Sequence, residues 1–200
     1  MPLRSFCALC VFVLSTILPQ AGHTHPHIWI DVVTTFQFEA GKVRALKVRW
    51  AFDPFFSAGI IGEFDTDKSG TFDAAETEVL RKGAFEATLE DSYFTHVKIN
   101  GKPLRLTRVQ SYAAMIQQTT LVMEFVAYLP EPVDPAADKL TVSVLDNTYY
   151  VDVAFDKIDP ARFAGEQVGF CTFQISKDEK NPIYFNSVYP DLMELICTGE

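Results

Sequence analysis

The sequence predicts a mainly β protein, an antiparallel sandwich interrupted near its front by a helix–loop–helix, so that the class is α+β taken whole. Three observations predict it. Apolar and polar residues alternate with period two through one segment after another. Strong turn signals such as Asn100-Gly101 separate those segments. A single stretch, residues 53–92, instead reads as two helices around a polar loop. With 48% apolar and 13% aromatic residues in a chain of 200, one domain can bury a substantial core.

Residues 1–22 read as a secretory signal: Arg4, then the apolar run "FCALCVFVLSTIL", then a short polar exit. That run is too short to span a bilayer comfortably as a mature helix. Cleavage after Ala21, Gly22 or Thr24 stays open, and residues 23–200 form the expected domain. Neither Cys7 nor Cys10 follows the small residues that a lipoprotein signal needs. The expectation is an exported protein that does not span the membrane once the signal is cleaved. Cys171 and Cys197 then remain as an even pair in an oxidising compartment, which predicts a disulfide stapling the tail "YPDLMELICTGE" to the body. Two buried free thiols are the other reading. The net charge of −9 leaves no basic patch for phosphates, which argues against nucleic acid as a partner and suits the attraction of cations.

In "HIWIDVVTTFQF", Ile28, Ile30, Val32, Phe36 and Phe38 point one way, and His27, Trp29, Asp31, Val33 and Thr35 the other. "EAGK" makes a turn, and "VRALKVRWAF" returns with Leu46, Val48, Trp50 and Phe52 on one face. Asp53-Pro54 then reads as a helix start, with Asp53 as the N-cap and Pro54 in the first turn. "FFSAGIIGEF" follows as a short helix and "DAAETEVLRKGAFEATLEDSYF" as a longer one. "YFTHVKI" and "PLRL" flank Asn100-Gly101. "SYAAMIQQ", "TLVMEFVAYL", "KLTVSVLD" and "TYYVDVAFD" continue the strands, with "PEPVDPAAD" and "DN" between them. "GFCTFQIS" is a last strand candidate.

The polar loop, "DTDKSGTFDAAE" at residues 65–76, fills every constrained position of the twelve-residue EF-hand pattern. Asp65, Asp67 and Ser69 put short oxygen-bearing side chains at positions one, three and five. Gly70 supplies the sharp turn, and Thr71 offers its backbone carbonyl at seven. Phe72 is the inward apolar residue, Asp73 acts through water at nine, and Glu76 binds bidentately at twelve. So many oxygen donors suit Ca²⁺. No second loop accompanies this one, which favours a structural clip over a sensor.

Three of the four histidines crowd into "HTHPHIWID": His23, His25 and His27. Residues two apart on an extended strand lie about 7 Å apart on one face, so His25 and His27 can converge on one ion. Asp31, roughly 13 Å along, cannot join it. Further ligands would come from Asp53, His96 or Asp146. Imidazoles suit Ni²⁺, Co²⁺, Zn²⁺ or Cu²⁺ rather than Ca²⁺. A disordered tail that binds metals only loosely, or a polar strand residue beside Trp29, are the alternatives. No serine sits in a nucleophile elbow, and no glycine-rich phosphate loop occurs. With no catalytic constellation in view, an enzyme is not expected.

"HPHIWID", "WAFDPFFS", "YFTHVKINGK" and "LDNTYYVDVAF" together resemble an uncharacterised bacterial family, a domain of unknown function usually labelled as the periplasmic component of an ABC-type transport system. The resemblance runs from about His25 to the C-terminal region. It implies a metal-handling role beside a nickel or cobalt permease-like partner. His25, His27, Asp31, Asp53, Asp146 and Tyr149 match the family's motifs; His23 and His96 have no place in them. The expectation is therefore an exported, non-enzymatic metal-binding protein that serves a divalent-cation transport system. The alternative is a calcium-stabilised β-sandwich that binds an envelope or protein partner and has no transition-metal role.

Overall fold

The computed structural model describes residues 27–166 and 169–198. The predicted signal, His23 and His25 lie outside the described residues. Two sheets enclose one core. Strands β1 (Ile28–Glu39) and β2 (Lys42–Phe52) form the expected hairpin, closed by Ala40 and Gly41, both at positive φ. Such left-handed pairs match the twist of two-residue hairpins. The first sheet is completed by β5 (Val109–Gln117) and β6 (Thr120–Val133) on the β2 side and by β8 (Val151–Phe155) and β9 (Ala161–Gly165) on the β1 side. The second sheet runs β10 (Phe170–Lys177), β11 (Asp191–Thr198), β7 (Leu140–Val144), β3 (Thr95–Ile99), β4 (Lys102–Leu104).

The core takes Val32, Phe36, Leu46, Val48 and Trp50 from the first sheet and Val97, Val142 and Met193 from the second, all almost without exposure. The inward alternation expected of the first two strands is what the structure shows. Trp50 is its centre, with ring centroids of Phe85, Phe94 and Phe125 at 5.7, 5.6 and 5.0 Å. Asn100 and Gly101, at φ 51° and 78°, turn β3 into β4 as their residue types require.

Four elements differ from expectation. The sandwich is not antiparallel throughout: β8 and β9 both run parallel to β1, one beside each half of it. Between them Asp156 Oδ1 accepts the N–H groups of Ile158 and Asp159, each at 2.8 Å, which turns the chain out and back to the same edge. β6 continues through Pro130 and Pro132 to Val133, where a loop was expected. The tail is itself a strand, β11, inside the second sheet. Cys171 and Cys197 stand directly opposite each other on β10 and β11 and form the predicted disulfide.

The fourth difference lies in the insertion. Helix α1 (Pro54–Phe64) starts as expected, and the buried Ser57 hydroxyl, accepting from Leu121 N–H at 3.0 Å, ties it to β6. The second helix is not continuous. Regular α2 (Ala74–Leu80) passes into a π turn at Arg81–Phe85 and a 3-10 segment at Glu86–Phe94. Ser92, Tyr93 and Phe94 follow one another in left-handed backbone, at φ 52°, 55° and 50°. The irregular path inserts Phe85 and Tyr93 into the core, where their rings stack at 4.9 Å, and burial outweighs the helical preference of the local sequence. Arg81 braces the break by donating to both oxygens of Glu78 at 2.7 Å and pairing with Glu86, which holds the Glu78 carboxyl down at about 2.

Candidate metal centre

Loop 65–76 joins α1 to α2. Asp73 is the N-cap of α2: its Oδ1 accepts Glu76 N–H at 2.8 Å, while Glu76 Oε2 accepts Asp73 N–H at 3.1 Å, a complete capping box. This fixes Glu76 one turn into the helix and points it back at the loop. Asp65, directly after α1, folds the loop over itself, with Oδ1 accepting Ser69 N–H at 2.9 Å and Oδ2 accepting Gly70 N–H at 3.0 Å. Gly70 stands at φ 78°, the left-handed backbone its place in the pattern requires. The Ser69 hydroxyl donates to the Thr71 carbonyl at 2.9 Å, so the oxygens expected at positions five and seven are neighbours.

Carboxylate oxygens of Asp65, Asp67 and Glu76 lie within 4.8 Å of one another, with Asp65 and Glu76 buried. Two ligands on opposite sides of Ca²⁺ at about 2.4 Å are about 4.8 Å apart, so oxygens no farther apart than this can share one calcium coordination sphere. The Ser69 hydroxyl beside it, then the Ser69 N–H that Asp67 Oδ1 accepts at 3.0 Å, keep the Asp67 carboxyl below its usual range. The Thr66 hydroxyl, then Asp73 N–H, does the same for Glu76. Both are therefore anionic at neutral pH, and each carboxylate keeps lone pairs beyond those its local donors use. Thr66, whose N–H and hydroxyl both reach Glu76 Oε1 at 2.7 Å, is the residue the sequence reading missed. Nothing in the twelve-residue pattern marks position two.

The candidates for the second site lie apart. His27 is exposed at the start of β1, its N–H donating to the Tyr150 carbonyl at 3.0 Å and its ring 5.0 Å from that of Tyr150. Asp53 caps α1 with Oδ1, accepting from Phe55 and Phe56 N–H at 2.9 Å, and takes Trp29 N–H with Oδ2. Asp146 is buried, and its oxygens accept from Thr148 N–H, the Thr148 hydroxyl and Val151 N–H at 2.8–3.0 Å. That bonding shapes the turn before β8. His96, on the other sheet, has Nε2 3.4 Å from Asp91 Oδ1, and burial pushes its pKa below 6.5. Among the described residues, the one group of three or more potential ligands within 4.8 Å is that of Asp65, Asp67 and Glu76; neither His27, Asp53, His96 nor Asp146 belongs to such a group.

A family model described as a protein of unknown function, DUF1007, matches residues 10–190. The chain belongs to the DUF1007 family. Among its relatives is an uncharacterized 15.5 kDa protein in the trpE 3′ region of Spirochaeta aurantia, 29% identical over 101 residues, which are 50% of this chain and 71% of that protein. Another is an uncharacterized protein of Haemophilus influenzae, 25% identical over 133 residues, 66% of this chain and 63% of that one. No solved structure matches. Of the features of this DUF1007 chain, the disulfide is consistent with export, and no helix among the described residues is long and apolar enough to cross a membrane.

Proposed function

We propose that this DUF1007 protein is an exported, non-enzymatic calcium-binding protein of the periplasm whose loop 65–76 holds one structural Ca²⁺. The observation that carries the reading is the convergence of Asp65, Asp67 and Glu76 within 4.8 Å around a glycine turn in a helix–loop–helix. Ca²⁺ would draw on those carboxylates, on Ser69 and Thr71, and on Asp73 through water. A second site, for Ni²⁺, Co²⁺, Zn²⁺ or Cu²⁺, is proposed at His25 and His27, in service of a divalent-cation transport system with a membrane permease as partner. Support for that part is the imidazole spacing and the family resemblance.

Calorimetric titration of the purified protein with Ca²⁺ and with each transition ion tests both parts. Glu76→Gln is expected to abolish the Ca²⁺-dependent rise in melting temperature, and an unchanged rise refutes the loop. His25→Ala combined with His27→Ala is expected to abolish transition-metal binding. Unchanged binding leaves the interaction-module reading, which the exposed aromatic side chains of Trp29, Phe55 and Tyr150 favour.

A further inference from the structure

The edge of a sheet presents N–H and C=O groups that invite another strand, and folded proteins blunt such edges with short strands, prolines, bulges or charges. Three edges of this molecule are blunted in that way. β4 has three residues, one of them Pro103. β5 slips register between Gln110 and Ala113, with Ser111 at φ 54°. The opposite edge of the first sheet is split into two five-residue strands, β8 and β9. β10 has none of these devices. It runs eight residues in unbroken register with β11, holds no proline or glycine, and carries its one charge, Lys177, at its end. Among the described residues it pairs with β11 alone.

The cystine shows which of its backbone groups face outward. Opposite residues of an antiparallel pair stand about 5.5 Å apart at Cα where they bond each other and about 4.5 Å where they do not. Cys171 and Cys197 stand 4.1 Å apart, so the N–H and C=O of Cys171 point away from β11. By alternation those of Phe173 and Ile175 do the same. Phe170 belongs to the other set, and its carbonyl accepts the Thr198 hydroxyl of β11 at 3.3 Å.

We propose that β10 pairs antiparallel with β10 of a second copy of this chain, joining two five-stranded sheets into one about a two-fold axis. A row of outward backbone groups is matched by an extended strand. The described chain offers one unblunted edge, and a second copy brings that same edge to the encounter. The run Phe170–Ser176 holds no charge, so it can lie against itself without repulsion. Its midpoint, Phe173, is one of the outward residues. With Phe173 on the axis, it bonds its own counterpart, and Cys171 bonds Ile175 of the second copy. Such a contact is self-complementary and closes at the dimer.

Sedimentation equilibrium of the purified protein, with metals chelated so that neither proposed metal site takes part, is expected to show twice the chain mass. Thr172 and Gln174 are exposed and face each other across the axis in this register. Thr172→Lys with Gln174→Lys sets lysine against lysine and is expected to weaken the dimer about tenfold or more. Thr172→Glu with Gln174→Lys sets glutamate against lysine and is expected to keep it. Ile175→Pro removes an outward N–H while the bonds to β11 remain, and is expected to give a monomer that still melts cooperatively. A wild-type protein that stays monomeric overturns the proposal and leaves the edge to a strand of another protein. So does a folded Ile175→Pro variant that stays dimeric, or equal dissociation of the two double variants.

Discussion

In loop 65–76 three carboxylates from twelve consecutive residues converge within 4.8 Å, whereas around the leading end of β1 the polar side chains arrive from separate segments and each shapes the backbone beside it. Asp53 starts a helix, Asp146 shapes the turn before β8, and Asp91 holds Asn147 through both its backbone and side-chain N–H groups. The loop's carboxylates also accept backbone bonds, yet those bonds aim them at a common centre. Acidic residues brought near one another by a fold are thus not equivalent. What separates the two regions is whether local bonding leaves the oxygens convergent or spends them in different directions.

The largest effect expected from this contrast is on stability at Asp146. Removing a buried carboxylate that satisfies two backbone N–H groups and a hydroxyl, by Asp146→Ala, is expected to cost about 2–4 kcal/mol in urea unfolding with any metal chelated away. A negligible loss would show that Asp146 is not architectural and would erase the contrast. Next in size is the response of the loop to its ion. With dissociation constants of order 10⁻⁴ to 10⁻³ M, 10 mM Ca²⁺ is expected to stabilise the protein by about 1.4–2.7 kcal/mol, visible as a rise in melting temperature. Asp67→Asn should diminish that gain and leave the ion-free melting temperature where it was, the reverse of the Asp146 pattern.

A smaller effect is expected from pH. Burial favours neutral His96 in the fold, against the pull of Asp91, while the unfolded chain takes up its proton near 6.5. The unfolded state therefore binds more protons below that value. The contribution of His96 is intact above pH 6.5 and declines as pH falls through and below it. His96→Gln should flatten that part of the stability profile; an unaltered slope would assign it to other groups. Smallest of all, His27→Ala at an exposed strand start is expected to change stability by no more than about 0.5 kcal/mol, so that any loss of transition-metal binding it causes reports on ligation and not on folding.

The sequence revealed what short-range chemistry determines. Alternation placed Val32, Phe36, Val48 and Trp50 in the core, Asn100-Gly101 marked its hairpin, and Asp53-Pro54 marked the start of α1. The loop pattern predicted the glycine turn that the structure forms, while the capping box between Asp73 and Glu76 emerged only from the structure. Strand direction was beyond it, because β8 and β9 alternate in the same way whether they lie parallel or antiparallel to β1. β9, with Phe163 as its one large apolar residue, carries too weak a pattern to stand out. β11 alternates well, with Met193 and Leu195 buried, but at eight residues behind Tyr189-Pro190 it resembled a tail. The π turn was hidden because, Gly83 apart, little in "LRKGAFEATLEDSYF" resists a helix, and a single glycine does not mark where a helix changes its pitch. The demand comes from Trp50 and Phe125, far off in sequence, which require Phe85 and Tyr93 against them. The second-site residues were nominated by type, and their individual occupations became visible only once their neighbours were in place.

The position of β11 has a kinetic consequence. It follows every other described strand in the chain, yet it lies inside its sheet, between β10 and β7. Until residues 191–198 emerge during synthesis, β7 has an unpaired edge, Val142 and Val144 lack part of their cover, and Cys171 has no opposite number. The β1–β2 hairpin, by contrast, is local and can form as soon as its turn is made. One sheet can therefore begin to assemble early while the other waits for almost the whole described chain, with a bare strand edge open to wrong partners in the interval.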